Sequence, residues 1–359
     1  MKHILLNPGP VNVSERVRSA LLRGDACHRE PEIAGLVASC RNLLLKLFDP
    51  TNEFDAVFFT GSGTAAVEAA IASTPHAGSQ MLVVDNGVYG DRIAQIAQVH
   101  DIEIHRLKRH WDEWPDVKEI DRILSLDKAI DTVALVHHET TTGLLNPVRE
   151  VGEVVRRHGR KFVLDAVSSL GGEELDLAGW GVDVAASTAN KCVCGIPGIS
   201  FVLVRKTTLD DIRRSPKRSL YLNIPFNRDA QERECGAFTP AIQVLWALEE
   251  ALKEFLEETV RGRITRYKKA SGLIRRRAAE MGLGLYLKDE GRLSNTITSF
   301  HLPEGKNYAH LHDELKRRGF IIYAGQGPLA GKIFRVANMG QVAESDYVRF
   351  LDELGGLLA

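Results

Sequence analysis

The sequence predicts an α/β protein built on a mainly parallel sheet of about seven strands, with helices on both faces. Between about residues 55 and 205, short apolar runs alternate with helical patterns, which favours parallel strand pairing. Several of these runs are continuously hydrophobic, as is typical of strands buried on both faces. The predicted strands are Ala56–Thr60, Met81–Asp85, Ile102–Leu107, Val133–His137, Phe162–Asp165, Val182–Ser187 and Ser200–Arg205.

The pattern changes after the predicted sheet. A long helical pattern runs from about Pro240 to Val260, and beyond it helices and strands mix over shorter distances. The predicted elements are helices at about Lys269–Met281, Tyr308–Arg318 and Glu344–Leu354, and strands at Thr296–His301, Phe320–Tyr323 and Ile333–Val336. We therefore predict a large domain of residues 11–245 and a smaller α+β domain of residues 246–359, against which residues 1–10 pack.

Composition excludes several classes of partner. The 359 residues carry a net charge of −1, so no long-range field favours nucleic acid or an anionic membrane surface. No apolar run approaches the roughly 18 residues of a membrane span. The five cysteines are odd in number and show no framework spacing, which favours reduced thiols and a cytoplasmic location. Cys192 and Cys194 match neither a redox C-x-x-C motif nor a zinc knuckle.

Polar clusters follow the predicted strands at their carboxyl ends. In open α/β sheets ligands bind just outside these ends, so the clusters are expected to converge on one site. They are Gly61-Ser62-Gly63-Thr64, Asp85-Asn86, His138-Glu139-Thr140, Asp165 and Asn190-Lys191.

Lys191 and Asp165 are the pair that pyridoxal phosphate chemistry requires. A lysine amine at a strand-to-loop turn forms a Schiff base with the cofactor aldehyde. A carboxylate placed earlier in the same sheet keeps the pyridine nitrogen protonated, so that the ring withdraws electrons. The two residues are predicted to be catalytic, and the cofactor to be pyridoxal 5'-phosphate.

A Gly-rich turn offers a place for the cofactor phosphate. Ser62, Gly63 and Thr64 lie between a predicted strand and a helix, where glycine lets the backbone approach an anion and the helix start presents unpaired N–H groups. The turn lacks the G-x-x-x-x-G-K-[ST] pattern of nucleotide triphosphate sites and is too short for G-x-G-x-x-G. A plain N-capped turn is the alternative interpretation.

With these residues assembled, the whole chain resembles fold-type I pyridoxal phosphate enzymes, and among them the class V aminotransferases. Within that family it is more similar to the branch acting on 2-aminoethylphosphonate than to the alanine–glyoxylate branch. The resemblance depends on Asn7-Pro8-Gly9-Pro10, Gly61-Ser62-Gly63-Thr64, His138-Glu139-Thr140-Thr141-Thr142-Gly143, Asp165-Ala166-Val167-Ser168-Ser169, Ala189-Asn190-Lys191 and Arg335. The segment Cys27–Glu32 departs from the form typical of the catabolic enzymes of that branch.

The resemblance implies cofactor contacts for several further residues. Tyr89 would stack on the pyridine ring, and Thr140 would bond near the phenolic oxygen of that ring, although Thr141 could be the one that faces inward. The full set of implied cofactor-binding residues is Ser62, Gly63, Thr64, Tyr89, Thr140, Asp165, Thr188, Asn190, Lys191 and Thr239.

The resemblance also implies how substrates and subunits meet. Thr239 would reach the cofactor phosphate of a neighbouring subunit, so the enzyme would be a homodimer with a shared active site. Arg335, mid-strand among apolar residues, would hold the acidic group of each substrate, because a guanidinium suits a carboxylate or phosphonate. Arg29 is a second candidate for that anion.

The implied reaction is a ping-pong transamination by a Schiff-base mechanism. It would interconvert 2-aminoethylphosphonate and phosphonoacetaldehyde, with a 2-oxo acid and amino acid pair such as pyruvate and alanine as partners. Lys191, once displaced, would move the proton.

The sequence leaves several alternatives open. One is another class V aminotransferase of the alanine– or serine–glyoxylate type, and a less favoured one is a cysteine desulfurase. His137-His138-Glu139 with Asp165 could mark a metal hydrolase, but adjacent residues on a strand point to opposite faces, so no metal is predicted. A non-catalytic binding protein is disfavoured by the presence of both Asp165 and Lys191.

Overall fold

A computed structural model describes residues 3–233 and 236–358; Cys235, one of the five thiols, lies outside them. Its strands, in chain order, are β1 (Ile4–Leu5), β2 (Phe54–Gly61), β3 (Gln80–Asp85), β4 (Glu103–Lys108), β5 (Ile130–Val136), β6 (His138–Glu139), β7 (Leu144–Leu145), β8 (Lys161–Asp165), β9 (Val184–Thr188), β10 (Gly198–Arg205), β11 (Ile297–His301), β12 (Phe320–Ile321), β13 (Tyr323–Ala324) and β14 (Ile333–Ala337). Its α-helices are α1 (Glu15–Ala20), α2 (Pro31–Phe48), α3 (Gly63–Ser73), α4 (Val88–Val99), α5 (Val117–Leu126), α6 (Val148–Arg157), α7 (Lys206–Ile212), α8 (Ile224–Arg233), α9 (Ile242–Glu258), α10 (Val260–Glu280), α11 (Tyr308–Arg317) and α12 (Glu344–Leu358).

The seven predicted strands form one sheet, in the order β2-β10-β9-β8-β5-β3-β4. Every neighbouring pair is parallel except those made by β10, which runs antiparallel to both β2 and β9. The prediction of a mainly parallel, seven-stranded sheet is therefore confirmed. The carboxyl ends of β8, β9, β5 and β3 meet at the same edge, which brings the polar segments that follow them together.

Helices cover the sheet on both faces because successive side chains of each strand point to opposite sides. In β2, Ala56 and Phe58 belong to the apolar cluster formed with α1, α2, α5, α6 and α9. Val57 and Phe59 belong to the second cluster, formed with α3, α4, α7 and α8. Burial on both faces explains why the strand sequences are continuously apolar.

The C-terminal part forms a smaller α+β unit around the three-stranded sheet β11-β14-β13. The N-terminal segment joins it, because β1 pairs in parallel with β12 and Leu6 lies in the same apolar cluster as α10, α11 and α12. Helix α9 runs without a break through residue 245, and its Leu248 and Phe255 pack in the cluster of the large sheet. The division of the chain at residues 10 and 245 stays a prediction.

Two C-terminal elements differ from the predicted ones. Helix α10 begins at Val260, earlier than predicted. The sequence pattern missed this start because the first turns are so rich in Arg and Lys that they show no apolar stripe. Their buried face is polar instead, with Arg263 fully buried and paired to Glu258 at 2.7 Å. The predicted strand Phe320–Tyr323 is two strands, β12 and β13, which join different sheets.

No helix of residues 3–233 and 236–358 is long and apolar enough to cross a membrane.

Candidate active site

A cavity of about 250 Å³ lies at the carboxyl edge of the large sheet. Eight of the predicted site residues line it, so three of the five polar clusters meet there. The other two clusters, Asp85-Asn86 and His138-Glu139-Thr140, are not among the lining residues. These eight are Ser62, Gly63, Thr64, Tyr89, Asp165, Thr188, Asn190 and Lys191, and the remaining lining residues are Val67, Arg92, Val167, Pro197 and Gly198.

Lys191 lies in the turn between β9 and β10, and its Nζ donates a hydrogen bond to the backbone carbonyl of Pro8. Burial, together with the nearby charges of Arg335 and Arg92, lowers the pKa of Lys191 to about 8, although Cys192 and Asp165 act in the opposite direction. A lysine in this environment has a far larger neutral fraction near physiological pH than an exposed lysine, and the neutral amine is the form that attacks an aldehyde.

Asp165 ends strand β8 and is buried beside the lysine. Its Oδ1 accepts a hydrogen bond from the backbone N–H of Val167 at 2.9 Å. Burial raises the pKa of Asp165 to about 6, against the opposing effects of that hydrogen bond and of the Lys191 and Arg92 charges. A cationic N–H partner in the cavity would stabilise the ionised carboxylate and lower this pKa again.

Helix α3 points its N-terminus into the cavity, where Ser62, Gly63 and Thr64 present their backbone N–H groups. Ser62 is the N-cap residue, yet its side chain makes no capping hydrogen bond, so the hydroxyl is available to a ligand. A Cβ on Gly63 would lie 2.9 Å from Cγ1 of Val167, so only glycine allows this turn to approach the loop after β8. The helix start is therefore built as an anion site.

Thr188 and Asn190 fix the turn that carries Lys191. The Thr188 hydroxyl donates to Oδ1 of Asn190 at 2.8 Å and also lies 3.2 Å from the carbonyl of Ile199 on β10. The turn is held from its other side by Arg263, whose Nη1 donates to the carbonyls of Cys192 and Val193 at 2.9 and 3.1 Å. The turn that carries Lys191 is thus held both by the large sheet and by helix α10.

Glu139 organises the start of α4, where Tyr89 lies. The helix has no side-chain cap of its own at Gly87. Instead the buried Glu139 carboxylate accepts the backbone N–H groups of Tyr89 and Gly90, at 3.0 and 3.4 Å. A Cβ on Gly87 would lie 2.2 Å from Cδ of Glu139, so the close approach requires glycine. Burial raises the pKa of Glu139 to about 7, opposed by hydrogen bonds from Thr141, Tyr89 and Gly90.

The two neighbouring threonines, Thr140 and Thr141, have different surroundings. The Thr141 hydroxyl donates to Glu139 Oε1 at 2.5 Å and accepts the backbone N–H of Val88 at 3.2 Å, so it is committed to the α4 cap. Thr140 Oγ1 is buried and has no hydrogen-bond partner among the residues that the structure describes. An orphaned buried hydroxyl costs free energy, and a ligand oxygen would relieve that cost. Of these two threonines, only Thr140 thus has an uncommitted hydroxyl, and its contact with the cofactor stays a prediction.

Arg335 lies mid-strand on β14, 2% exposed, and is not one of the residues lining the cavity. Its Nε donates to the carbonyl of Ala324 at 2.9 Å, and its Nη1 donates to the carbonyl of Thr140 at 2.7 Å. Neither N–H of Nη2 has a partner within residues 3–233 and 236–358. Desolvation lowers the pKa of Arg335, yet a guanidinium stays charged, so this buried cation favours an anion nearby.

Thr239 and Arg29 lie away from the cavity lining of their own chain. Thr239 is exposed and borders a different, smaller depression together with Tyr221 and Phe238. Arg29 is exposed just before α2. The structure of one chain therefore does not bring either residue to Lys191.

Three residues at or near the site have roles that the sequence did not predict. Gly9, though part of a noted motif, lies against the lysine side chain, and Arg92 lines the cavity. Arg92 is three residues after Tyr89, so the same-face rule for helices could have found it. The role of Arg263 depends on contacts across 70 residues of sequence and carries no local signal.

His137 and His138 are both buried, and burial lowers the pKa of each to about 3. Among the described residues, no group of three or more His, Cys, Asp and Glu side chains is arranged to hold a metal ion. Neutral imidazoles packed between the sheet and the loops fit a structural role.

The residues present fit pyridoxal 5'-phosphate. The cavity holds an amine, a buried carboxylate and a helix start with an unused hydroxyl, which suit the aldehyde, ring nitrogen and phosphate of that cofactor. Together with the sheet topology, they define a fold-type I pyridoxal-phosphate-dependent transferase.

The chain belongs to the class-V aminotransferase family, whose model (Aminotransferase class-V) matches residues 14–342. It is 36% identical over 357 residues to a 2-aminoethylphosphonate–pyruvate transaminase of Vibrio cholerae, covering 98% of this chain and 96% of that protein. A 2-aminoethylphosphonate–pyruvate transaminase of Phocaeicola vulgatus is 35% identical, with 98% of each chain covered.

Solved structures agree with the family. An alanine–glyoxylate aminotransferase from Nostoc sp. superposes with a TM-score of 0.94 at 28% identity, covering 100% of this chain and 96% of that chain. A ureidoglycine–glyoxylate aminotransferase from Bacillus subtilis superposes with a TM-score of 0.93 at 28% identity, covering 100% and 93%. The chain is a pyridoxal-phosphate-dependent aminotransferase, as the sequence predicted.

Proposed function

We propose that this aminotransferase interconverts 2-aminoethylphosphonate and phosphonoacetaldehyde, with a 2-oxo acid and amino acid pair such as pyruvate and alanine as the second couple. The observation that carries the proposal is full-length similarity of about 36% to transaminases named for this substrate pair. A buried cation, Arg335, near the lysine supports it, because both proposed substrates end in an acidic group.

Lys191 and Asp165 perform the proton chemistry in this proposal. The bound cofactor supplies an aldehyde carbon and an electron-withdrawing ring. Lys191 would hold the aldehyde carbon of the cofactor, and its amine would move a proton to and from the substrate carbon that bears nitrogen. Asp165, buried at the end of β8, holds a proton on the ring nitrogen.

Arg335 would bind the acidic end of each substrate in turn. With Nε and Nη1 held by backbone carbonyls, its Nη2 is oriented and available. One fixed cation can serve a phosphonate in one half-reaction and a carboxylate in the other, which explains how a single pocket accommodates two substrates. Arg29, exposed before α2, stays a second candidate for the same anion.

The proposal includes a homodimer in which Thr239 reaches the phosphate of the neighbouring active site. Thr239 is exposed, and beside it Tyr221, Phe226 and Phe238 form an aromatic surface with ring centroids 4.8 and 6.1 Å apart. Exposed aromatic clusters of this kind favour protein contacts. Light scattering gives the test: a monomeric mass for the active enzyme would contradict a shared site.

A cytoplasmic location also stays a prediction. The four described cysteines, Cys27, Cys40, Cys192 and Cys194, are free thiols, which is compatible with a reducing compartment.

A panel of amines and 2-oxo acids tests the function. Purified protein reconstituted with cofactor is assayed with 2-aminoethylphosphonate, alanine and serine against pyruvate and glyoxylate, and kcat/KM is compared. The proposal expects the highest value for 2-aminoethylphosphonate with pyruvate, and parallel reciprocal plots of a ping-pong mechanism. Higher values for alanine or serine with glyoxylate would instead favour the alternative that the likeness to alanine–glyoxylate aminotransferase suggests.

A further inference from the structure

Arg92 is a cation in the active-site cavity that the roles assigned so far leave unused. It lies on α4, one turn after Tyr89, and lines the same cavity as the N-terminus of α3. Its Nη1 is 3.4 Å from Oγ1 of Thr64, a residue of the anion-binding turn, and its guanidinium carbon is 4.8 Å from the centroid of the Tyr89 ring. The side chain therefore reaches from α4 across to the start of α3.

Among the residues that the structure describes, no carboxylate forms an ion pair with Arg92, and the Asp165 carboxylate attracts it only from a greater distance. Several half-buried arginines of this chain have acidic partners, such as Arg228 with Asp55 at 2.7 Å, whereas Arg218 is held by backbone carbonyls instead. Within residues 3–233 and 236–358, no carboxylate oxygen lies within 4.0 Å of the Arg92 guanidinium, and Thr64 accepts only a long hydrogen bond. A partly desolvated cation beside a helix N-terminus, which is itself positive, is unfavourable unless an anion completes the site.

We propose that Arg92 is the counter-ion of the cofactor phosphate, which it binds together with the N-terminus of α3 and the hydroxyls of Ser62 and Thr64. Helix N–H groups and hydroxyls supply only partial charges to a phosphate that carries nearly two negative charges. A guanidinium adds a full charge and paired N–H donors matched to phosphate oxygens.

Arg335, the other buried cation near Lys191, does not take the role of phosphate counter-ion. Arg335 lies on β14 and is bound to the carbonyls of Thr140 and Ala324, whereas Arg92 lines the cavity and contacts Thr64 in the anion-binding turn. The two anions of the reaction, cofactor phosphate and substrate acid, thus each have their own arginine. This inference concerns the cofactor site alone, so it does not depend on which amine the enzyme uses.

Cofactor-free protein gives a direct test without any amine substrate. Dissociation constants are measured by quenching of tryptophan fluorescence for pyridoxal 5'-phosphate and for pyridoxal, which lacks the phosphate. Because a charge-assisted phosphate contact is lost, Arg92→Gln is expected to weaken binding of the phosphorylated form by about 10- to 100-fold while pyridoxal changes by less than about twofold. Arg149→Gln, on the exposed face of α6, is the matched control and leaves the ratio of the two constants unchanged.

Inorganic phosphate provides an independent readout. In the wild-type protein, inorganic phosphate should strengthen pyridoxal binding by filling the phosphate subsite, and Arg92→Gln should abolish this effect.

A second variant covers the case in which Arg92→Gln disturbs folding. Arg92→Met keeps an unbranched side chain over the Tyr89 ring and is expected to weaken binding of pyridoxal 5'-phosphate selectively, as Arg92→Gln does. If pyridoxal 5'-phosphate and pyridoxal both bind more weakly by the same factor, Arg92 acts by positioning Tyr89. If neither affinity changes, Arg92 does not bind the cofactor. Either result overturns the proposal. These binding measurements use no amine substrate, so a negative result with 2-aminoethylphosphonate would not change their outcome.

Discussion

Gly9 packs directly against the side chain of Lys191. A Cβ on Gly9 would lie 2.8 Å from Cδ and 2.9 Å from Cε of the lysine, and the backbone of Gly9 has φ +107°. The preceding residue, Pro8, accepts the hydrogen bond from Lys191 Nζ. The N-terminal segment therefore forms one wall around the amine, although it is some 180 residues away in sequence.

We expect Gly9→Ala to lose far more activity than stability. The positive φ costs about 1–2 kcal/mol for a residue with a Cβ, and the clash displaces the lysine. Because misplacement of a reacting group by about 1 Å costs on the order of 100-fold, turnover should fall by at least about that factor. Activity assays and urea unfolding of the variant measure the two effects.

Gly319→Ala is the matched control for this prediction. Gly319 also has a positive φ, +95°, but a Cβ there would meet no atom within 4 Å. It should therefore show a similar loss of stability with near wild-type turnover. Equal activity losses in the two variants would mean that backbone strain, and not the contact with Lys191, explains the effect.

The fold was predictable because its signals are local. Each strand of the large sheet is a short apolar run ended by polar residues, and each run was found within two or three residues of its true ends. The order of the strands was not predictable, since β2 pairs with β10 across the whole length of the domain. The antiparallel direction of β10 did have a signal: residues 189–197 are too few for a crossover helix between β9 and a parallel neighbour.

The site was predictable to the extent that its residues follow strands directly. Asp165, Lys191 and the Gly63 turn each end or follow one strand, so the topology alone brings them together. Glu139 was noted only as part of a polar run, because its partners Tyr89 and Gly90 lie about 50 residues away on α4. Residues that support others through tertiary contacts leave little trace in a single sequence.

Glu139→Gln should weaken both stability and cofactor binding. The carboxylate uses one oxygen for Thr141 and the other for the N–H groups of Tyr89 and Gly90, and an amide can accept at only one of these positions. The unsatisfied donors should cost about 1–3 kcal/mol. Because the cap positions Tyr89 and Arg92, affinity for pyridoxal 5'-phosphate should fall as well, measured by fluorescence titration beside urea unfolding.

Glu68→Gln separates this effect from the general loss of a carboxylate. Glu68, on α3, is partly exposed and pairs with His100 at 2.9 Å on the outer side of the helix. Its substitution should leave cofactor affinity unchanged. If Glu68→Gln lowers cofactor affinity as much as Glu139→Gln does, the contact between Glu139 and the start of α4 is not what supports cofactor binding.

The cofactor-free protein should be stabilised by removing the charge of Lys191. Burial lowers the pKa of Lys191 from 10.5 to about 8, so the folded state binds this proton more weakly than the unfolded chain. The wild type should therefore gain stability relative to Lys191→Met as pH rises from about 8 to about 10.5. Across that window the stability difference should change by on the order of 3 kcal/mol in favour of the wild type.

Urea unfolding of both proteins between pH 7 and pH 10 checks the sign and the window. Lys268→Met, on the exposed surface of α10, controls for the loss of a lysine as such. A stability difference between wild type and Lys191→Met that does not change with pH would contradict the lowered pKa. With cofactor added, borohydride trapping and peptide mapping should label Lys191 in the wild type.

Arg335→Lys should impair both half-reactions through substrate binding. The planar guanidinium is held by the carbonyls of Ala324 and Thr140, and a lysine cannot keep these bonds while presenting a donor to the substrate. We expect kcat/KM for 2-aminoethylphosphonate and for pyruvate to fall together by about 10- to 100-fold, mainly through KM, because each loses a charge-assisted contact. Propylamine, which lacks the acidic group, is the matched substrate: its slow reaction should be equally slow in both proteins. A loss confined to one of the two acidic substrates would contradict a shared anion site and would direct attention to Arg29 for the other.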